Sequence, residues 1–129
     1  MLCYPAKKEG ESYVVPVGVK LVGGGEHKYY GGFCNNQNLT SITLTKDVQG
    51  VDFYSCINLQ NIDVDENNEN YTAENGVLYS KDKLALVKYP NGKTEKNFEI
   101  PSNINVIEWN AFYNCKNLNS ITLSDTIKK

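Results

Sequence analysis

Apolar residues recur along this chain with a fixed spacing, which is most complete in "FYSCINLQNIDV" (residues 53–64) and "FYNCKNLNSITL" (residues 112–123). Both segments read Phe-Tyr-x-Cys-x-Asn-Leu-x-x-Ile-x-(Leu/Val). A third copy, residues 33–44, keeps the Phe, Asn-Leu and Ile-x-Leu positions, but Asn36 replaces the cysteine. A pattern that recurs in this way indicates a repeated structural unit.

The spacing of the copies shows how the units are arranged. In chain order, the copies at residues 33–44 and 53–64 begin 20 residues apart, and those at 53–64 and 112–123 begin 59 apart. An extra segment therefore separates the last copy from the one before it. A longer similarity relates residues 4–22 to residues 89–107, so a larger unit recurs after about 85 residues. We predict a single domain over residues 1–129 with about three repeats. Both ends interrupt a unit, which predicts either a piece of a longer array or a very short open-ended array.

Each Leu-x-x-Ile-x-Leu segment predicts a β-strand. In the last copy, Ile121 and Leu123 share one side of an extended segment, and Ser120 and Thr122 face the other way. Stacked beside equivalent strands, such a segment forms a parallel sheet with a continuous core. The Ala-Phe-Tyr-Asn-Cys segment before it predicts a short helical or 3₁₀ turn that directs Phe112 and Cys115 inward.

The extra segment predicts an inserted β-hairpin near residues 75–92. Its halves are residues 77–79 and 84–89, which are mostly apolar, and "SKDK" between them supplies the turn.

Small polar residues on the outer side of the repeat strands are the candidate binding residues. Because side chains alternate along a strand, we expect them to be neighbours across three strands, on the concave face where solenoids bind partners. The alternative is an ordinary solvated sheet surface. The candidates are Ser41, Thr43, Asn61, Asp63, Ser120 and Thr122. Tyr29, Tyr30 and Tyr113 are candidates for stacking on a sugar or anchoring a protein, or for packing.

Charge and composition exclude several partners. The chain has 129 residues and a net charge of −2, and all 13 basic residues are Lys. We therefore expect no nucleic-acid partner. No run of about 18 apolar residues is present, so no membrane insertion is expected. The first ten residues lack the apolar segment of a signal peptide.

The residues give no sign of catalysis, so no catalytic residue, metal site or cofactor is predicted. Cys56 and Cys115 occupy the same repeat position, which is expected to point into the core. Neighbouring strands lie about 5 Å apart, within reach of a disulfide, although two free core thiols are favoured. Nothing places His27, the single histidine, near a cysteine. The glycine run at 23–25 lacks the helix and the Lys-Ser/Thr pair of a phosphate-binding loop.

The segment "DVDENNENYTAE" (residues 63–74) has a partial resemblance to a calcium-binding loop. Positions 1, 3, 5, 7 and 12 of that loop would be Asp63, Asp65, Asn67, Glu69 and Glu74. The sixth position, usually Gly, is Asn68, and the flanking segments predict strands rather than helices. The favoured interpretation is a polar turn.

Residues 100–123 read Ile-Pro-x-x-Ile-x-x-Ile-x-x-x-Ala-Phe-x-x-Cys-x-x-Leu-x-x-Ile-x-Leu, a pattern that resembles the BspA-like leucine-rich repeats. The insert "NGVLYSKDKLALVKYP" resembles the hairpin that interrupts those arrays. The resemblance implies an α/β repeat solenoid with a parallel β-sheet on its concave face and short helical or 3₁₀ turns opposite. Family members are typically large surface or secreted proteins of host-associated bacteria and some parasitic protists, with roles in adhesion and protein or glycan binding.

Two functions follow as expectations. The first is a non-catalytic binding module of a cell-surface or secreted protein, whose partner is a host or matrix protein or a glycan. The second is a structural spacer or a self-assembling segment, because uncapped repeat ends expose strand edges that pair with other chains.

Overall fold

The computed structural model describes residues 12–22, 38–51, 57–108, 111–113 and 115–123. These residues form eleven strands. In chain order they are β1 (Ser12–Val14), β2 (Leu21–Val22), β3 (Ser41–Leu44), β4 (Gly50–Val51), β5 (Asn61–Val64), β6 (Tyr71–Glu74), β7 (Val77–Ser80), β8 (Ala85–Lys88), β9 (Asn97–Glu99), β10 (Val106–Ile107) and β11 (Ser120–Thr122).

The repeat strands pair in parallel, as the sequence predicts. Strands β1, β3 and β5 form one sheet in that order, and β9 pairs with β11 in another. In both sheets the pairing matches equivalent repeat positions, such as Ile42 with Ile62 and Phe98 with Ile121. Strand β1 lies within residues 4–22 and β9 within residues 89–107, the two segments that the longer similarity relates. Both segments therefore also contribute repeat strands.

The insert is larger than the predicted hairpin. Strands β7 and β8 and the turn between them confirm the prediction, but β6 adds a third antiparallel strand. Asn75 and Gly76 join β6 to β7 with φ angles of 52° and 81°. Two consecutive positive φ angles are typical of the type I′ turn, which suits the twist of a hairpin and favours Asn-Gly.

Strand β7 separates two hydrophobic cores, because its consecutive residues Val77, Leu78 and Tyr79 are all buried. Leu78 packs into the first core, with Val15, Val22, Leu39, Ile42, Leu44, Val48, Leu59 and Ile62. Val77 and Tyr79 pack into the second core, with Leu86, Tyr89, Ile100, Ile104 and Ala111.

The predicted helical turns opposite the sheet are not confirmed, since the described residues contain no helix. Around Cys115, they form turns in which an amide donates to the carbonyl three residues earlier, as from Cys115 to Phe112 at 3.2 Å. Two further parallel pairs are β2 with β4, which follow the first two repeat strands, and β10 with β8. The prediction that Phe112 and Cys115 point inward is confirmed, because both pack against the second core.

No helix that could cross a membrane occurs in the part of the chain that the structure describes.

Candidate functional site: the polar face of the repeat strands

The repeat strands present alternate side chains away from the cores. Ile42 and Ile62, which lie between candidate residues on β3 and β5, are fully buried, so the candidates flank core positions. We call the alternate residues of the five repeat strands the polar face. They are Ser12, Val14, Ser41, Thr43, Asn61, Asp63, Asn97, Glu99, Ser120 and Thr122.

Four of the six predicted residues are brought together. Ser41 pairs with Asn61, and Thr43 pairs with Asp63, in the parallel register of β3 and β5. Cross-strand neighbours of this kind are the units of a sheet surface. On the other side of β3, Ser12 and Val14 of β1 extend these two rows.

Ser120 and Thr122 do not join these rows, which corrects the expectation that all six are neighbours across three strands. They pair with Asn97 and Glu99 of β9, in a sheet separate from β5. The polar face therefore consists of two patches. The first patch lies on β1, β3 and β5, and the second lies on β9 and β11.

The tip of the insert explains this division. The amide of Ile62 donates to the carbonyl of Gly76, the second residue of the β6–β7 turn, at 3.0 Å. A Cβ at Gly76 would lie 2.7 Å from the side-chain oxygen of Asn61. The turn therefore occupies the edge of β5 where a further repeat strand would otherwise pair.

Hydrogen bonds orient part of each patch. In the first patch, the side-chain amide of Asn61 donates to Asp63 at 2.8 Å. In the second, the hydroxyl of Ser120 donates to the side-chain oxygen of Asn97 at 2.5 Å. Among the ten residues of the polar face, Asp63 and Glu99 are carboxylates and none is basic. The two patches therefore favour partners that carry hydrogen-bond donors or positive charge.

The acidic segment after β5 forms a polar turn, which is the favoured interpretation of residues 63–74, and Asn68 organises this turn. The Asn68 side chain is fully buried. Its amide donates to the carbonyls of Thr45 and Val48, both at 2.9 Å, and its oxygen accepts from the amides of Asn70 and Tyr71 at 2.7 and 2.9 Å. This position thus serves to join two successive turns rather than to complete a calcium loop. Within the described ranges, no group of three or more His, Cys, Asp or Glu residues is placed to hold a metal ion.

Cys115 is a free thiol beside the second core. Its sulfur donates to the carbonyl of Tyr89 at 3.4 Å. Burial raises its pKa, and the nearby charge of Lys88 opposes that shift. The buried ammonium of Lys88 donates to the carbonyl of Tyr113 at 3.4 Å. A raised pKa makes a thiol a poor nucleophile, so the surroundings of Cys115 fit a packing role.

Several predictions lie outside the described residues. They concern Tyr29, Tyr30, His27, Cys56 and the glycine run at 23–25. Tyr113 is described, and 42% of it is exposed.

Sequence reasoning missed four residues of the polar face, on β1 and β9. They are Ser12, Val14, Asn97 and Glu99. The similarity between residues 4–22 and 89–107 contained the signal, because it places "SYV" over "NFE". Reading both segments as repeat strands would have found them.

Stacked parallel strands, each carrying a Leu-x-x-Ile-x-Leu-type pattern, define a leucine-rich repeat protein. The sequence model described as "BspA type Leucine rich repeat region (6 copies)" matches residues 29–96 and 91–129. This protein therefore belongs to the BspA-type leucine-rich repeat family.

Two solved structures share the fold. A leucine-rich repeat protein from Eubacterium ventriosum is 32% identical with a TM-score of 0.77, and the match covers 92% of this chain and 31% of that one. The pneumococcal vaccine antigen PcpA is 22% identical with a TM-score of 0.66, and the match covers 92% of this chain and 40% of that one. This chain thus spans less than half of either. No match is found among curated proteins.

Proposed function

We propose that this protein is a non-catalytic binding module of an extracellular or cell-surface protein, and that the polar face holds a host or matrix protein or a glycan. Membership of the BspA-type family supports a surface or binding repeat module. The vaccine-antigen description of one structural neighbour agrees with a surface location. A role in adhesion is part of the same proposal.

The observation that carries the proposal is the in-register polar patch on β1, β3 and β5. Buried side chains such as Ile42 and Ile62 fix the strands from below, so the outward residues keep their spacing. A rigid surface loses little conformational freedom when it binds, which favours recognition. Asp63 is exposed and carries the negative charge of this patch.

A binding screen with matched charge reversals tests the proposal. The protein is immobilised and exposed to collagen, fibronectin, fibrinogen and a panel of mucin-type glycans at micromolar concentrations. For any ligand that binds, Asp63→Lys should weaken binding by at least about tenfold, because it reverses a charge within the patch. Glu66→Lys makes the same change in charge on the neighbouring exposed turn and should have little effect.

Two results would contradict the proposal. One is the absence of any binder at micromolar concentration across the panel. The other is a ligand whose affinity falls equally with Asp63→Lys and Glu66→Lys, since that ligand would sense overall charge rather than the polar face.

Exposed apolar residues support a second candidate function, a self-assembling or spacer segment. On the first repeat Val17 and Leu21 are 68% and 55% exposed, and at the last repeat Ile121 and Leu123 are 38% and 61% exposed. Further repeats or another chain would bury these side chains, which is the usual role of repeat stacking.

Light scattering over a wide concentration range distinguishes the two candidates. Self-assembly predicts a mass that rises with protein concentration and falls back to the monomer in Leu21→Ser and Leu123→Ser. A constant monomer mass for the unsubstituted protein would rule out self-assembly, and the binding screen would then distinguish a spacer from a binding module.

A further inference from the structure

A polar cleft lies beside the first patch, between the turn that follows β3 and the turn that follows β5. Its volume is about 260 Å³. Six side chains line it: Lys46, Asp47, Gln49, Asn67, Glu69 and Asn70. None of these residues belongs to the polar face, so the cleft is separate from the surface considered above.

The two walls of the cleft are fixed to each other by the buried side chain of Asn68. As described above, this side chain bonds to Thr45 and Val48 on one wall and to Asn70 and Tyr71 on the other. The hydroxyl of Tyr71 adds a bond to the carbonyl of Gln49 at 3.2 Å. A cleft whose walls are joined by a fully bonded buried amide is preorganised.

Each wall is also held from outside the cleft. The carboxylate of Asp47 accepts from the amide of Gly18 at 2.8 Å. The ammonium of Lys81 donates to the carbonyl of Glu66 at 2.8 Å. The amide of Asn67 donates to the carboxylate of Asp65 at 2.9 Å. The first bond positions the Asp47 side chain, and the other two fix the backbone of the opposite wall, before any ligand arrives.

The chemistry of the lining selects the class of ligand. Three side-chain amides, those of Gln49, Asn67 and Asn70, each offer both donors and acceptors. Two carboxylates add acceptors, and the single Lys46 adds donors. A ligand rich in hydroxyl groups, which donate and accept at the same time, matches this mixture. The lining offers little to an apolar ligand, and Asp47 and Glu69 together repel an anion more strongly than Lys46 attracts it.

The size of the cleft agrees with one sugar ring. Clefts that enclose drug-sized ligands have volumes of about 300–1,000 Å³, so this smaller space suits a compact polar ligand. We propose that the cleft between the turns after β3 and β5 is a saccharide-binding site, which takes one neutral sugar residue at an edge of the repeat stack. This site is independent of the polar face.

Amide NMR spectra of the ¹⁵N-labelled protein test the site directly. The probes are glucose, galactose and N-acetylglucosamine, each titrated to about 50 mM, because a few polar contacts give affinities in the millimolar range. At least one of the three should cause saturable shifts concentrated at residues 46–49 and 67–70. Glucuronate, which adds a carboxylate, should bind at least about threefold more weakly than that sugar because Asp47 and Glu69 repel it.

Three variants locate the binding. Gln49→Ala and Glu69→Ala each remove a hydrogen-bonding group from the lining and should weaken binding by about fivefold, the effect of one lost hydrogen bond. Glu66→Ala lies in the same turn as Asn67 but outside the lining, and should leave the affinity unchanged. Asp63→Lys, the variant of the polar face, should also leave the sugar shifts unchanged, so the two sites can fail separately.

Three outcomes would overturn the saccharide site. One is the absence of saturable shifts with all three neutral sugars. Another is an equal loss of affinity in Glu66→Ala and Glu69→Ala, which would place the ligand elsewhere. The last is a response of residues 46–49 and 67–70 to calcium chloride but not to the sugars, since the cleft would then be a cation site.

Discussion

The two cores on either side of β7 differ in the type of side chain that fills them. The first core is aliphatic, and its one fully buried amide, Asn68, has partners for both its amide and its oxygen. The second core has a group of aromatic rings at its centre. Tyr89 lies 4.9 Å from Phe98 and 5.6 Å from Phe112, measured between ring centroids. In the described part of the chain, the Tyr89 hydroxyl and the Asn91 side-chain amide are buried without a hydrogen-bond partner at normal geometry.

This difference shows two ways in which one repeat pattern fills its interior. The first region depends on a polar connection between successive turns, so its geometry is specified by hydrogen bonds. The second region depends on the area and shape of aromatic rings, which stabilise through packing, and its unpartnered polar groups make no hydrogen bond that a substitution would remove. We therefore expect substitutions of buried polar groups to be costly in the first region and nearly neutral in the second.

The largest effect should come from the strand that separates the two cores. Leu78→Ala removes a fully buried side chain from the first core and should lower the free energy of unfolding by about 3 kcal/mol. Val77→Ala, its neighbour facing the second core, should lower it by about 2 kcal/mol. Urea unfolding measures both values.

Hydrogen exchange then tests whether the cores open separately. Leu78→Ala should reduce protection mainly in β3 and β5, and Val77→Ala mainly in β8 and β9. An identical loss of protection across both regions in the two variants would show that the chain opens as a single unit and that β7 does not separate it.

The buried amides provide the next comparison, since Asn68 and Asn91 differ mainly in their partners. Asn68→Ala removes four buried hydrogen bonds and should cost about 3 kcal/mol. Asn91→Ala should change the free energy of unfolding by less than about 1 kcal/mol, because its amide makes no hydrogen bond within the described residues. Thermal and urea unfolding of the two single variants measure these costs. Equal costs would contradict the expected difference between the two asparagines.

Alkaline pH should affect the aromatic region selectively. Burial raises the pKa of both Tyr79 and Tyr89 to about 12, with smaller contributions from the charges of Glu74 and Glu95 respectively. The folded-state pKa of each tyrosine lies above the unfolded value of about 10. Its contribution to the free energy of unfolding is therefore fully present below pH 10 and declines as pH rises toward 12. By pH 11 each tyrosine should account for a loss of about 1 kcal/mol.

Tyr89→Phe isolates one of these contributions. The variant should lose stability less steeply between pH 10 and pH 12 than the unsubstituted protein does. At pH 7 its stability should change by less than about 1 kcal/mol, because the buried hydroxyl makes no hydrogen bond of normal geometry and interacts only with the exposed carboxylate of Glu95 among the described residues. A loss at pH 7 of more than about 1 kcal/mol would show that the hydroxyl contributes to the fold.

How much the sequence could predict depended on whether the determining contacts were local. The spacing of Leu, Ile and Leu predicted the parallel strands β3, β5 and β11, because alternation along a strand is a local property. Tight-turn chemistry was equally local, and Asn75-Gly76 between two alternating segments carried the signal for β6 that was not used. The separation of Thr122 from Asp63 was not local, since it depends on where the tip of the insert contacts β5.

The role of Asn68 was also beyond local reasoning. Its partners at Thr45 and Val48 lie 23 and 20 residues earlier in the chain, and no spacing rule connects an asparagine with carbonyls in the preceding repeat. The same segment suggested a calcium loop, because alternating acidic and amide residues suit both a cation and a hydrogen-bonded turn. The saccharide cleft was likewise not predicted, as it forms only when the two turns are stacked.

The smallest expected effect concerns Cys115, whose reaction rate with a thiol reagent reports specifically on the packing of the second region. Because burial raises its pKa, its thiolate fraction at pH 8 is smaller than that of an ordinary cysteine. Iodoacetamide should therefore modify Cys115 at least about tenfold more slowly in the folded protein than in urea, as measured by mass spectrometry of the peptide that contains it. Because Cys115 packs against the second core, Val77→Ala should accelerate the modification and Leu78→Ala should not. Equal acceleration by the two variants would mean that the aliphatic core supports the aromatic one, and the two regions would then have to be treated as a single cooperative unit.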